Sequence, residues 1–274
     1  MTLATFAIVL SAAFIHALWN LIVVQARDRT ATTTVVIIFG ALVFVPLALL
    51  RWNVQAEAWP YIALSSALEL IYFALLVAAY ERADLSLVYP IARGSAPVLV
   101  LALAVAFTGA ATSLEQVAGV ALVAVGVFIV RGIRGGANWR HVLLALGVAL
   151  AIAAYVVVDK EGVRYADPIA YGTLILLIPG LFATAFVLMR GGADRLVASF
   201  NWRSALGGIF SMAAYALVLI ALTTAPAASV SAVRESSVVI AAILGAVVLK
   251  EKSGPGRVVG SIVVLIGVAL VVLG

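Results

Sequence analysis

The stretch that decides the fold is Tyr89-Pro90-Ile91-Ala92-Arg93-Gly94-Ser95-Ala96-Pro97. It lies in an apolar segment, 85–108, that is long enough to cross a bilayer as a helix. Arg93 is eight residues into this segment. At about 1.5 Å per residue it is therefore roughly 12 Å deep, near the membrane midplane. The guanidinium stays charged there and needs partners or water, while the prolines on either side loosen the helix. An intramembrane charge of this kind indicates a functional site.

The composition indicates a membrane protein along the whole chain. Of the 274 residues 65% are hydrophobic and 11% are charged, whereas soluble domains have about a quarter charged residues. There is no cysteine, which excludes disulfides and thiol chemistry. The net charge of +5 comes from loop arginines and lysines. Because no loop combines a dense basic run with interleaved aromatic residues, nucleic acid is not an expected partner.

Ten apolar segments follow one another with short connections. We place them at 3–25, 32–50, 59–80, 85–108, 114–130, 140–158, 168–189, 203–223, 226–249 and 256–273. The longest polar link follows segment five and divides the chain into 1–131 and 138–274. Because each half crosses the membrane five times, an odd number, the second half starts from the opposite side. The predicted fold class is an all-α polytopic membrane protein with ten transmembrane helices in two inverted five-helix repeats.

The second half repeats features of the first half. A shift of 141 residues relates Arg93 to Arg234 and two pairs of glycines, Gly119 with Gly260 and Gly126 with Gly267. The two glycines of each segment are seven residues apart and share one helix face, where small residues let helices approach closely in lipid. We interpret them as packing residues. A shift of 143 relates Tyr72 to Tyr215.

The distribution of basic residues predicts the orientation. Links after odd-numbered segments hold twelve lysines and arginines, whereas links after even-numbered segments hold three, namely Arg51, Lys160 and Arg164. The positive-inside rule therefore places the odd-numbered links in the cytoplasm and both termini outside.

Polar side chains within the segments are the candidate site residues. His16, Trp19 and Asn20 share one face of segment one, at spacings of three and four residues. Glu69 and His16 are the candidate proton carriers. The alternatives are a histidine bonded to a neighbouring helix and a glutamate that neutralises an arginine. The expected substrate contacts are Arg93, Arg234, Glu235, Tyr72, Tyr215, Trp19, Asn20, Tyr89 and Ser231. At the end of segment six we interpret Tyr155, Asp159 and Lys160 as interfacial.

Three motifs in this order carry a resemblance. They are His16-Ala17-Leu18-Trp19-Asn20, the stretch from Pro90 to Pro97, and Leu249-Lys250-Glu251-Lys252 after segment nine. The whole chain resembles the drug/metabolite transporter superfamily, in particular its EamA-like members. The resemblance implies secondary transport, often export, of small metabolites through a cavity built by both halves. It also implies cytoplasmic termini, contrary to the charge distribution. The link after segment four, Thr108-Gly109-Ala110-Ala111, lacks the charged residues of the family's turn.

The predicted function is secondary active transport in the cell membrane. A small anionic or zwitterionic metabolite would be exported by alternating access with proton coupling, and the planar forks of Arg93 and Arg234 would hold its oxyanion. The alternatives are export of cationic drugs or amines recognised by Glu69 and Glu235, or a non-transporting receptor or channel. Neither H-E-x-x-H nor G-x-x-x-x-G-K-[ST] occurs, so an enzyme, an ATP-driven pump and a cofactor are not expected. Both a monomer and a homodimer fit the sequence.

Overall fold

Twelve α-helices form the part of the chain that the structure, a computed structural model, describes, namely residues 1–82, 85–131, 139–248 and 254–274. For residues 77, 80, 81, 85–87, 89, 90, 131 and 248 the description covers the backbone alone. The helices are α1 (Leu3–Val24), α2 (Arg29–Leu50), α3 (Ala58–Arg82), α4 (Leu85–Thr108), α5 (Leu114–Arg131), α6 (Trp139–Gly162), α7 (Pro168–Met189), α8 (Ala193–Ser199), α9 (Trp202–Thr224), α10 (Ala227–Arg234), α11 (Ser236–Val248) and α12 (Pro255–Leu273).

Ten membrane crossings account for all of these helices except α8. Within the described residues nine stretches are long and apolar enough to span a bilayer, one of them being Ala227–Val247, and α5 adds a shorter apolar helix over Leu114–Val130. Helices are required there because lipid offers no partner to a free backbone group. The predicted fold class, an all-α polytopic membrane protein, is confirmed. The short helix α8, in the link after α7, is an element that the hydrophobicity pattern did not predict.

Polar side chains fix where several helices begin. The Asp28 carboxylate accepts from the backbone N–H of Ala31 at the start of α2, and Asp167 does the same for Ile169 at the start of α7. Asn201 and Ser204 form a reciprocal capping box at the start of α9. These caps lie in the links, so they define helix ends without placing polar groups in the apolar spans.

The two halves differ in where a helix is interrupted. Helix α4 continues through Pro90 and Pro97, so neither proline ends it. Proline is tolerated in a transmembrane helix when neighbouring groups satisfy the freed carbonyls. The ninth span is the one that breaks: α10 ends at Arg234 and α11 begins at Ser236, with Glu235 between them. The Ser236 hydroxyl donates to the Val233 carbonyl at this break.

Helices α5 and α12 pack backbone against backbone. A Cβ atom built on Gly119 would lie 2.7 Å from the carbonyl oxygen of Gly267, and one built on Gly126 would lie 2.9 Å from that of Gly260. No larger residue fits at that separation, which confirms the interpretation of these glycines as packing residues. The 141-residue shift relates Gly119 to Gly260 and Gly126 to Gly267. The contact between Gly119 and Gly267 is therefore the counterpart of the contact between Gly126 and Gly260.

Other helix contacts show the same correspondence between the halves. The counterpart of α1 is α6, that of α3 is α9, and that of α4 is α10 with α11. Helix α3 packs on α6, and its counterpart α9 packs on α1. Helix α4 also packs on α6, and its counterparts α10 and α11 pack on α1. Helices α2 and α7, which are counterparts, pack on each other, as do α5 and α12. An axis that relates the two halves would produce this pattern. The limits 1–131 and 138–274 remain a prediction.

Both chain termini and the links after even-numbered spans meet at one end of the bundle, which we call the terminal end. There the Met1 amino group donates to the Val272 carbonyl over 3.4 Å, and the Asp167 amide donates to the Asn53 carbonyl over 2.8 Å. The opposite end, where the described links after α1 and α7 meet, is called the basic end. Arg195 donates there to Asp28 over 2.6 Å and holds the pKa of that carboxyl below its usual value.

Candidate functional site

Arg93 and Glu235 form an ion pair between the two halves. The Nε atom of Arg93 lies 3.3 Å from Oε2 of Glu235, and its terminal nitrogen donates to the Ser237 hydroxyl over 3.3 Å. Only 9% of Arg93 and 2% of Glu235 are exposed. Helix α4 supplies the arginine, and the break between α10 and α11 turns the glutamate towards it. A buried pair of this kind keeps both charges compensated within the bundle.

Arg234 differs from its counterpart Arg93, because none of the described residues forms an ion pair with it. It is the last residue of α10 and is half-buried. Within the described ranges it makes no hydrogen bond or ion pair, but its charge acts on His16, Glu69, Tyr155 and Asp159. The C-terminal end of a helix carries partial negative charge, which favours a cation at this position. A ligand that bound Arg234 would therefore have no ion pair to break among the described residues.

Glu69 lies in the middle of α3 and is 5% exposed. Its carboxylate makes no hydrogen bond or ion pair with the part of the chain that the structure describes. Tyr72, one turn further along α3, is half-buried and packs edge-on against Tyr155, with 6.1 Å between the ring centroids. Glu69 interacts electrostatically with both Arg234 and Asp159.

The polar patch of α1 is held together mainly by its own residues. Trp19 Nε1 donates to His16 Nδ1 over 3.2 Å, and the Asn20 amide donates to the His16 carbonyl over 2.7 Å. The rings of His16 and Trp19 meet at 85° with their centroids 5.1 Å apart. All three residues are half-buried. The charges of Arg93 and Arg234 both act on His16, so the patch faces the arginines.

The central acid of a buried hydrogen-bond cluster is Asp159, a residue that the sequence analysis interpreted as interfacial. It is 1% exposed, and Tyr155 is buried as well, so this interpretation is wrong for both residues. Asp159 accepts from the hydroxyls of Ser65 over 2.5 Å, Tyr171 over 3.3 Å and Tyr215 over 2.6 Å. A Cβ atom at Gly162 would overlap the Tyr171 ring, so the glycine leaves room for this arrangement.

The hydrophobicity pattern did not predict this cluster, because Asp159 lies only three residues from the end of α6 and next to Lys160. Charged residues in that position are typical of the membrane boundary. One available signal was the polar face of α3, where Ser65 precedes Glu69 by one turn. The Tyr215 hydroxyl belongs to this cluster as a donor to Asp159, and its role as a substrate contact stays a prediction. Ser231 is buried in α10, and the side chain of Tyr89 lies outside the described residues.

A small, partly open cavity of about 60 Å³ lies at the terminal end between α4, α5, α6 and α10. Its polar lining includes Gln116, Lys160 and Glu161. Gln116 donates to Ser229 over 2.7 Å, and Lys160 donates to the Leu222 carbonyl over 2.6 Å. Neither arginine lines this cavity. Over the described ranges no group of histidines and carboxylates is placed to hold a metal ion.

Comparison with known families identifies the chain. The profile of the EamA-like transporter family matches it twice, over residues 3–132 and 139–273. The chain belongs to the EamA-like transporter family. An EamA-like protein is a multi-pass membrane transporter of small molecules, so this chain binds a small-molecule substrate within a lipid bilayer. The motif Leu249-Lys250-Glu251-Lys252, which also indicated the family, lies outside the described residues.

A solved structure supports the fold of this EamA-like protein. It is described only as the crystal structure of a protein, and it superposes with a TM-score of 0.82 over 100% of this chain and 98% of its own chain. The two sequences are 16% identical. At that identity the likeness shows the fold alone. The comparison with curated proteins gives no significant match.

Proposed function

We propose that this protein is a secondary active transporter that moves a small anionic or zwitterionic metabolite by alternating access. We propose further that transport is coupled to protons, that the direction is export, and that the protein works in the cell membrane. The observation that carries the proposal is Arg234, a half-buried arginine without an ion pair among the described residues. Its charge acts on His16 together with that of Arg93, which has such a pair. A planar guanidinium in a low-dielectric bundle is a strong site for a carboxylate or phosphate.

The two arginines have different roles in this proposal. Arg234 makes the first contact with the oxyanion because no ion pair has to be broken. Arg93 is held by Glu235 over 3.3 Å, and it joins the substrate when the substrate displaces that carboxylate. Binding therefore connects a residue of α4 to the break between α10 and α11, and this gives a substrate the means to favour one arrangement of the two halves.

The charges of the site supply a reason for proton coupling. Arg93 and Arg234 face three carboxyl groups, those of Glu69, Asp159 and Glu235, so full ionisation would leave net negative charge in the bundle. Asp159 is compensated by three hydroxyl donors and Glu235 by Arg93. Glu69 has no comparable partner in the described structure. We therefore assign the coupling proton to Glu69, with the half-buried His16 as a second candidate.

The competing proposal is export of a cationic drug or amine bound by Glu69 and Glu235. It is less well supported, because Glu235 is already paired with Arg93, and a cation would also meet the charge of Arg234. A receptor or channel remains the third possibility. A channel conducts without saturation, and a receptor binds without moving its ligand.

Reconstituted protein separates these possibilities. The purified protein is screened by thermal shift against carboxylates, phosphates, zwitterions and amines, since a specific ligand raises the midpoint. Ligands that raise it are then tested for saturable uptake into proteoliposomes, with and without a pH gradient. We expect anions or zwitterions to stabilise the protein and their uptake to depend on the gradient. Stabilisation by amines alone, or uptake that does not saturate, would overturn the proposal.

A further inference from the structure

The Asp159 cluster, which we call the hub and define as Asp159, Ser65, Tyr171 and Tyr215, joins four helices. Asp159 belongs to α6, and its three donors come from α3, α7 and α9. Asp159 lies three residues before the end of α6, about 5 Å from the terminal end, whereas Arg234 is seven residues into α10, about 10 Å from that end. The hub therefore lies between the arginines and the terminal end.

A second layer of contacts closes the terminal end outside the hub. Residues 51–57 of the first half and 163–167 of the second half pair as a short antiparallel bridge at Val54 and Ala166. Arg51 lies 3.1 Å from Asp167, and the rings of Tyr61 and Tyr165 stack with centroids 5.8 Å apart. Both layers connect the first half to the second half at the terminal end.

The chemistry of the hub depends on the charge of Asp159. An ionised carboxylate is purely an acceptor and has room for all three hydroxyl donors. Charge-assisted hydrogen bonds of this kind are roughly twice as strong as neutral ones. A proton on Asp159 turns one oxygen into a donor and removes the charge. One of the three hydroxyls must then accept instead of donate or give up its bond, and the remaining bonds weaken because they lose the charge of the acceptor.

Charged and titratable groups reach the hub from each helix packed around α6. Glu69 faces it from α3, Tyr171 from α7, Tyr215 from α9 and Arg234 from α10. From α4, the charge of Arg93 acts on Tyr155, one turn before Asp159 on α6. Lys160 and Glu161 follow Asp159 on α6 itself. The carboxylate of Glu69 opposes a negative charge on Asp159, and Arg234 favours it.

We propose that the hub is the inner gate of the terminal end, which holds α3, α7 and α9 against α6 while Asp159 is ionised and releases them when Asp159 takes up a proton. Asp159 is then a positioning residue that links proton uptake to the opening of one end. This inference rests on the proposed function, because a gate has a purpose only in a carrier. It adds a second carboxyl to the proton path, on the terminal-end side of Glu69.

The absence of cysteine from the chain makes a labelling test direct. Ile62 is buried on α3, three residues before Ser65 and on the terminal-end side of the hub. Val36 is buried on α2, towards the basic end, and serves as the reference. The rates at which a membrane-impermeant maleimide labels Ile62→Cys and Val36→Cys are measured separately in vesicles, with each end exposed in turn. The result is the labelling rate of Ile62→Cys divided by that of Val36→Cys. This ratio cancels the effect of pH on thiol reactivity.

We expect this ratio to rise several-fold as the pH falls, and to be high at every pH when Asp159→Asn is added. Tyr215→Phe, which removes one donor and keeps the charge, should raise the ratio less. Thr173→Ala is the matched control, since this hydroxyl bonds within its own helix to the Ile169 carbonyl, and should change nothing. If Asp159→Asn does not fold, Tyr215→Phe alone decides the question.

Two results would overturn the gate. One is a ratio that is independent of pH and unchanged by Tyr215→Phe. The other is an equal rise at positions 62 and 36, which would show general loosening. The labelling needs no substrate, so its outcome is independent of whether an anion is transported. A ratio that responds as expected in a protein that binds only amines would support the gate and overturn the proposed substrate.

Discussion

At the scale of single residues, the two arginines are equivalent in sequence but not in their surroundings. The 141-residue shift that relates them places Gly94 opposite Glu235, so the first half offers no acid next to Arg234. The consequence is one arginine in a buried pair and one that the described structure leaves unpaired. Substitution should therefore affect the two positions differently.

Arg234→Ala should abolish substrate binding with little effect on folding, because no ion pair is lost. Arg93→Ala should also abolish binding, but it leaves the Glu235 carboxylate buried without its counter-charge and should destabilise the protein by about 3–5 kcal/mol. Thermal unfolding in detergent, together with ligand-induced shifts, measures both effects. The double variant Arg93→Ala with Glu235→Ala should recover much of the stability. Normal transport by either single variant would show that the arginines are structural.

Glu69→Gln should keep substrate binding and lose the pH dependence of transport. The amide preserves the size of the side chain but carries neither charge nor an exchangeable acid proton. Uptake into proteoliposomes is compared with and without an imposed pH gradient. Glu57→Gln, which changes an exposed acid of the link 51–57, is the control and should respond to the gradient as the wild type does. Transport by Glu69→Gln that is still driven by the gradient would exclude Glu69 as the proton carrier.

At the scale of elements, the contact between α5 and α12 fixes how the ends of the two halves meet. A Cβ atom at Gly260 would lie 2.8 Å from the Gly126 carbonyl oxygen and 2.5 Å from the Val130 amide nitrogen. Neither is the mobile end of a side chain, so the helices themselves would have to separate. The glycines that the sequence marks by their spacing thus set a close backbone separation, which Gly40 and Gly208 also give to α2 and α9.

Gly260→Ala should lower the stability of the protein by about 1–3 kcal/mol, as overpacking of a tight contact does. Gly147→Ala is the matched control on α6, because a Cβ atom there would meet only the side chain of Leu75, at 3.6 Å, which is an ordinary contact. Thermal unfolding of both variants in the same detergent gives the comparison. Equal midpoints for the two variants would contradict the close packing of α5 and α12.

At the scale of the whole molecule, the ends of the bundle differ in charge. The links of the basic end hold twelve lysines and arginines against three at the terminal end. The positive-inside rule predicts that the basic end is cytoplasmic and that both termini are outside. A reporter fused after Gly274 tests this, since one type of reporter is active only in the cytoplasm and another only outside. Activity of the cytoplasmic type would reverse the orientation and support the topology that the family resemblance implies.

The sequence by itself determined the spans, the family and the residues that carry unusual charge. Lipid tolerates few departures from an apolar helix, so the ten apolar segments can be recognised from the sequence alone. For the same reason, the charged residues Arg93, Arg234 and Glu69 can be recognised within them. The glycine spacing was equally readable, because small residues on one face have few other uses in a membrane. Each of these features is local, or repeats within a helix period.

Only the tertiary structure decided which of these groups meet. Glu235 follows Arg234 in sequence but pairs with Arg93 of the other half, because adjacent residues of a helix point about 100° apart and the helix breaks between α10 and α11. Asp159 looked like a boundary acid, yet it accepts three hydroxyls from α3, α7 and α9. Those partners are far from it in sequence or on other helices. A buried charge is compensated by whatever the packing brings within hydrogen-bond distance, and no single segment contains that information.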